Sequence, residues 1–461
     1  MDSFTELRRR IEAAGQGQVF RFWEELDEAG RAKLLGQLGE IDWEQLPPLV
    51  AAAVVRRPEN VIPADLAPAV FFPRLPADET MRDLYRRAAE RGEELFRAGR
   101  VAALTVAGGQ GTRLGFDGPK GTYPIGPCSG RTLFQYFAET LRAAERKYGR
   151  RINWYIMTSQ LNHRATVDFF AAHDRFGLAE DQVFFFSQGM MPAFGTDGRI
   201  LLDAKDSLAL APNGHGGTLL ALRRSGALDK MARDGNDVIS YFQVDNPLAP
   251  VIFPLFAGLH DLERSEMSAI SLTKTGPFEK LGNFCLSAGH VHIIEYSDLP
   301  AELAESRDAA GELRFRAGSP AIHLFRRAFI ERLTANGQLQ LPWHRADKKV
   351  PHLDEAGNRV EPAEPNAVKL ESFIFDALPL AERTLILEGD RETMFAPTKN
   401  KTGVDSVESC RRSILARDAR RLAAAGFPLP PGVEIELSPL AGDSAAELAA
   451  YLAEHPVREA W

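Results

Sequence analysis

Cysteine is scarce in this chain of 461 residues: Cys128, Cys285 and Cys410 are the only three, and they lie far apart. No CxxC pair or other zinc-like spacing links them, which excludes a disulfide-framed or zinc-ribbon domain and suits a reducing compartment. Long apolar runs are missing too; nothing reaches the roughly 18 residues that span a bilayer. The start, Met1-Asp2-Ser3-Phe4, lacks the basic-then-apolar layout of a secretory leader. Basic excess is also absent. With a formal net charge of −8, any polyanion site has to be local, and nucleic acid is not an expected partner. What remains is ordinary globular composition, 44% hydrophobic and 26% charged, over a length that suggests two or three domains. The expectation is a soluble, cytoplasmic protein.

Up to about residue 98 the chain carries helical periodicity. Leu7, Ile11 and Ala14, then Phe22 and Leu26, then Leu34, Leu35 and Leu38 follow three-and-four spacing, and a charged helix is expected over about Glu79 to Ala98. Phe22 and Trp23 are expected in the core. From Val101 onward, strands alternate with helices. Val101–Ala107, Ile152–Ser159, Val183–Ser187 and Val238–Val244 read as buried strands. Thr132-Leu133-Phe134-Gln135 has capping-box spacing, with Gly149 as the stop, and Arg164–Ala172 is a further helix. Such alternation predicts an α/β fold with a largely parallel sheet, its ligand lying beyond the carboxyl ends of the strands. Later, Phe284–Ile294 reads as a hairpin turning near Gly289, Pro320–Leu333 as a helix, and Pro342–Arg359 as containing a further hairpin turning at 354–358. Helices are expected at Ser406–Ala425 and Ser444–Glu454.

The most informative stretch follows the first strand: Gly108-Gly109-Gln110-Gly111-Thr112-Arg113, with Pro119-Lys120-Gly121 close behind. Glycines let backbone N–H groups close on an anion, and the arginine and lysine neutralise it. Lys120 is followed by glycine, so this is no Walker A loop. Leu114 stands where the third glycine of the dinucleotide fingerprint would be, which excludes that motif as well. Asp245, directly after a strand, suits Mg²⁺ bridging phosphate oxygens, although a carboxylate there also suits a simple Asx turn. Asn213-Gly214-His215-Gly216-Gly217 is a second glycine-dense loop. Its glycine neighbours argue against His215 being a satisfied core histidine. Gln188, after the third strand, can donate to and accept from a pyrimidine edge, and equally fits an ordinary loop. Lys369 and Lys399 have little acidic sequence around them, and Glu295 can accept from sugar hydroxyls. His290 and His292 have same-face spacing but no third ligand, and read as structural.

With these motifs in place, the chain resembles the eukaryotic-type UDP-sugar pyrophosphorylases from about residue 50 to about 440, most closely the UDP-N-acetylglucosamine branch. The resemblance rests on Leu104 to Gly115, Pro119-Lys120-Gly121, Trp154 to Ser159, Gln188 to Ala193, Val244-Asp245-Asn246, Val291 to Ser297 and the segments around Lys369 and Lys399. It implies a Rossmann-like, GT-A-like nucleotidyltransferase fold, with an N-terminal helical region (1–98), a catalytic domain (99–384) and a small C-terminal domain (385–461). It also implies that UTP and a sugar 1-phosphate give UDP-sugar and pyrophosphate, with Mg²⁺ on Asp245. Gly108, Gly109 and Gly111 would hug the nucleotide; Arg113 and Lys120 would hold its outer phosphates; Gln188 and Gly214 would read uracil. Glu295 would bind the sugar, Lys369 the sugar phosphate, and Lys399 the phosphates. Two residues at the sugar end depart from the branch: His215, typical of UDP-glucose and broad UDP-sugar enzymes, and Ser319, where the branch has asparagine. N-acetylglucosamine 1-phosphate is the expected substrate, glucose 1-phosphate or a broad range the alternative, and a binding-only regulatory protein the reading from another class. Oligomeric state is not encoded in these motifs.

Overall fold

The computed structural model describes residues 4–57, 62–339, 341–442 and 444–455. The chain divides into two compact units. One comprises 1–61, 188–217 and 340–376; the other comprises 62–187, 218–339 and 377–461.

The larger unit is built on one sheet. Its strands are β1 (Val101–Val106), β2 (Trp154–Thr158), β3 (Val183–Ser187), β4 (Val238–Gln243), β5 (Met267–Thr273), β6 (Gly282–Ser287), β7 (His290–Ile294), β8 (Ala317–Ser319), β9 (His323–Arg326) and β10 (Thr384–Glu388). The order is β6-β8-β5-β9-β4-β1-β2-β3, with β7 on β6, β10 on β5 and Ala67–Pro68 at the β6 edge. β4, β1, β2 and β3 are parallel, and β10 is parallel to β5. β1 and β2 are buried almost throughout, as strands covered on both faces must be. The chain leaves β1 toward β2 on one side, while β4 flanks it on the other. That reversal makes a topological switch point, where a crevice opens at the carboxyl ends.

Local chemistry sets the helices. In α1 (Glu79–Arg97) and α2 (Leu133–Tyr148), Asp78 and Thr132 accept from the N3 amides. Gln135 turns its side chain to Glu139 instead of back to the cap, so the expected box is half formed. Gly149 ends α2 in the left-handed region at φ +65°. Helix α1 crosses α3 (Pro254–Leu262) at backbone contact: a Cβ on Gly92 would overlap the Pro254 carbonyl, and one on Gly258 the Ala88 carbonyl. This packing puts α1 in the larger unit, so the expected boundary at 98 falls inside that unit. The boundary at 384 does as well, because β10 joins the central sheet beside β5.

One expectation is corrected. Pro320–Leu333 is not one helix. His323–Arg326 forms β9, the antiparallel strand between β4 and β5, and only Arg327–Leu333 is helical. Three of the four β9 side chains are buried, and lateral pairing there outweighs helical propensity. The hairpin expected within 342–359 forms: His352–Leu353 pairs Arg359–Val360 around the 354–358 turn, while His344–Lys348 pairs Ala367–Glu371. The 282–294 hairpin turns, as expected, through Ala288 and Gly289, both at positive φ.

The smaller unit packs helices Phe4–Ala13 and Glu28–Gly39 with a sheet ordered 344–348, 367–371, 194–195. Its core includes Ile11, Leu34, Leu38, Phe194, Val368 and Leu370. Phe22 is buried there, and Trp23 stacks on Phe4 with ring centroids 4.6 Å apart.

Candidate active site

The glycine loop folds back on itself at the carboxyl end of β1. Gly111 N donates to Gly118 O (2.9 Å) and Lys120 N to Gly109 O (3.0 Å), so the lysine returns to the root of the loop. Asn162, after β2, pins that root: its Nδ2 donates to Ala107 O (3.0 Å) and Gly109 O (3.2 Å), and its Oδ1 accepts from Ser159 N (2.8 Å). Gly111 is glycine for packing, since a Cβ would lie 2.7 Å from the Phe116 ring; Gly109 faces open space. Gly108 is half-buried and Arg113 is exposed. The open glycine edge therefore presents backbone and the arginine presents charge, as a phosphate cradle requires.

Asp245, at the end of β4, faces Lys120, with Nζ to Oδ2 at 3.4 Å. The late lysine segment is anchored to the same strand end. Thr398 N donates to Asp245 O (2.8 Å), Ala396 N to Asn246 Oδ1 (2.9 Å), and Asn246 Nδ2 to Met394 O (2.8 Å). Lys399 is thereby held next to the switch point. It is not free of acid, as its sequence neighbours suggested: folding puts Asp405 Oδ2 3.8 Å from its Nζ. Arg113, Lys399, Tyr296 and the loop 275–281 line a cavity of about 710 Å³. Glu295 and Ser319 meet around Gly282. Ser319 is its ladder partner, and Glu295 Oε1 would lie 3.7 Å from a Cβ there.

The remaining candidates belong to the smaller unit. Gln188 is buried, and Met190–Pro192 beyond it pairs Leu210–Pro212, which brings it beside the second glycine loop: Asn213 N donates to Gly189 O (3.2 Å). Gly214 sits at φ +83°, and a Cβ on it would overlap the Ser372 carbonyl. Lys369 is half-buried between the buried Val368 and Leu370. His215 is half-buried, with partners that its glycine neighbours do not reveal. Its ring stacks on Phe373, with centroids 5.3 Å apart, and its Nδ1 accepts from Ile374 N (3.2 Å). Burial, helped by His344 nearby, moves its pKa down to about 4. The flanking glycines serve this packing, because they let the loop lie against the 372–373 backbone.

Among the described residues no cluster of three or more His, Cys, Asp or Glu could hold a metal. Asn162, Asn246 and Thr398 are site-building residues that sequence reasoning missed. For Asn246 the signal was its position directly after Asp245; for the other two there was none.

A mixed sheet, parallel over β4-β1-β2-β3, with a glycine loop, a carboxylate and lysines gathered at its switch point defines a Rossmann-like nucleotidyltransferase. The chain belongs to the UTP–glucose-1-phosphate uridylyltransferase family, whose profile matches residues 74–413. It is 36% identical to the human UDP-N-acetylhexosamine pyrophosphorylase-like protein 1, over 98% of this chain and 95% of that one. It is 33% identical to the UDP-N-acetylglucosamine pyrophosphorylase of Saccharomyces cerevisiae, over 94% of each. The crystal structure of the Trypanosoma brucei uridine diphosphate N-acetylglucosamine pyrophosphorylase in complex with inhibitor superposes with a TM-score of 0.84 at 25% identity, covering 98% of this chain and 95% of that one.

Proposed function

We propose that this protein transfers a uridylyl group from UTP to a sugar 1-phosphate, releasing pyrophosphate, with N-acetylglucosamine 1-phosphate as the preferred acceptor. The observation that carries the reading is the assembly at the switch point: Lys120 faces Asp245 at 3.4 Å, and the Lys399 segment is hydrogen-bonded to the same strand end. An oxygen of the sugar phosphate attacks the α-phosphorus, and the bond from that phosphorus to the bridging oxygen of pyrophosphate breaks. The nucleophile is already an anion, so no general base is required. The barrier lies in bringing two polyanions together and in the charge on the leaving group. Arg113 and Lys120 hold the outer phosphates, Lys399 meets them from the C-terminal segment, and Lys369 holds the sugar phosphate. Gly108, Gly109 and Gly111 admit the nucleotide backbone; Gln188 and Gly214 take the uracil edge; Glu295, His215 and Ser319 belong to the sugar end. Asp245 would hold Mg²⁺, a hard cation that carboxylate oxygens suit. When bound, the ion would supply further charge neutralisation. Unpaired cysteines fit a cytoplasmic protein.

His215 and Ser319 favour a second reading, in which glucose 1-phosphate or several sugar phosphates are used. Pyrophosphate release from UTP and Mg²⁺ with glucose, N-acetylglucosamine, galactose and N-acetylgalactosamine 1-phosphates separates the readings. The highest kcat/KM is expected for N-acetylglucosamine 1-phosphate. A preference for glucose 1-phosphate would support the second reading, and no release with any acceptor would refute the transferase and favour a binding-only protein.

A further inference from the structure

A buried lysine stands behind one wall of the cavity. Lys274, directly after β5, is 6% exposed. Its Nζ donates to Asn283 Oδ1 (2.6 Å) and to the Pro277 carbonyl (2.9 Å). Asn283 passes the connection on, its Nδ2 donating to Ile294 O (3.1 Å), one residue before Glu295. Asn283 also lies opposite Gly318 in the ladder. The aliphatic stem of Lys274 packs there, with Cγ 3.1 Å from where a Gly318 Cβ would be. Ser319 is the next residue. One side chain thus engages the 275–281 loop, β6 and β8, and through Asn283 the end of β7.

Space-filling alone does not account for a lysine here. An apolar side chain would occupy the same volume without the desolvation cost of an ammonium. Burial holds the amine below the ordinary lysine pKa, with Glu279 acting against it. What the ammonium adds is direction, because its N–H vectors fix a carbonyl on the loop and an amide on the strand at once. The outer end of the same loop is fastened separately: Glu279 accepts from Arg391 (2.7 and 2.9 Å) and from Thr275 N (2.7 Å). The loop is therefore a wall held at both ends.

We propose that Lys274 is a positioning residue for the sugar 1-phosphate, locking the 275–281 wall and the Glu295 strand into one arrangement without touching substrate. This rests on the uridylyltransferase reading above. The test is steady-state kinetics of Lys274→Met, with KM for the sugar 1-phosphate and for UTP measured separately. The expected result is a rise of about tenfold or more in the sugar-phosphate KM, the scale of a small misplacement of binding groups, with the UTP KM unchanged. A folded variant in which both KM values move equally, or neither moves, overturns the proposal. Glu279→Gln guards against a variant that fails to fold, since it loosens the outer anchor and leaves the core intact. It should raise the same KM to a smaller degree, and no change there also overturns the proposal. Wild-type protein that releases no pyrophosphate from any acceptor refutes the transferase reading and this proposal together; active wild-type protein with unmoved variants refutes this proposal alone.

Discussion

Replacing Lys120 by alanine removes the cation that stands 3.4 Å from Asp245 Oδ2. The two side chains are only 12% and 14% exposed, so water cannot readily take the lysine's place. At an effective dielectric of about 20, unit charges at that separation attract by about 5 kcal/mol, a gross figure that desolvation of both groups reduces. The variant leaves Asp245 uncompensated at the crevice that must admit a triphosphate. It also deletes a donor to the departing pyrophosphate. Loss of one such electrostatic donor costs about 2.7–4 kcal/mol, or about 10²–10³ in kcat. The uncompensated carboxylate should raise the UTP KM as well. Because the two residues face each other, the losses in Lys120→Ala and Asp245→Asn should be less than additive in the double variant, with coupling of about 0.5–3 kcal/mol. Pyrophosphate release under saturating acceptor measures kcat, and circular dichroism checks the fold. A folded Lys120→Ala with kcat within about tenfold of wild type, or strictly additive losses, would refute the reasoning.

Lys369→Ala should weaken use of the sugar 1-phosphate in the same assay, and unchanged KM and kcat would exclude that role. Gly258→Ala forces a methyl into the Ala88 carbonyl at the crossing of α1 and α3. It should cost about 3 kcal/mol or more, and Tm should fall by about 2–4 °C per kcal/mol in calorimetry; an unchanged Tm would show that the helices separate freely. Burial tends to raise the Glu436 pKa, but hydrogen bonds from Ser129, Tyr136 and the Cys128 amide outweigh it and hold the carboxylate below its ordinary value. Its contribution is therefore present above the unfolded-state pKa and is lost as pH falls through the folded one. Hydrogen-exchange protection of the Cys128 and Ser129 amides, which donate to Glu436, should fall on acidification or in Glu436→Gln, and unchanged protection would contradict the contact. His215, shifted down to about 4, keeps its full contribution to stability above about pH 6.5 and loses it progressively below. A His215 ring resonance titrating near 6.5 would refute its packing.

The central strands were legible from sequence because parallel strands buried on both faces leave uninterrupted apolar runs such as Val101–Val106 and Trp154–Thr158. Strand β9 was not, because a short run of mixed propensity takes its conformation from its lateral neighbours. At the site, the glycines, Arg113 and Lys120 announced themselves by composition and order. The environment of His215 could not be read the same way, since Phe373 and Ile374 lie far along the chain.

By itself the sequence determined what depends on neighbours a few positions apart: helix periods, a cap at Thr132, the turn near Gly289, and a glycine loop that fits neither Walker A nor dinucleotide spacing. Only the tertiary structure decided what long-range packing sets. It put Lys120 opposite Asp245, bound the 394–398 backbone to the end of β4, and buried Lys274 behind the cavity wall. Turns and helices are fixed by short-range sterics and hydrogen bonds that the local residues carry with them. Contacts between residues more than a hundred positions apart exist only because the sheet orders its strands around a shared core.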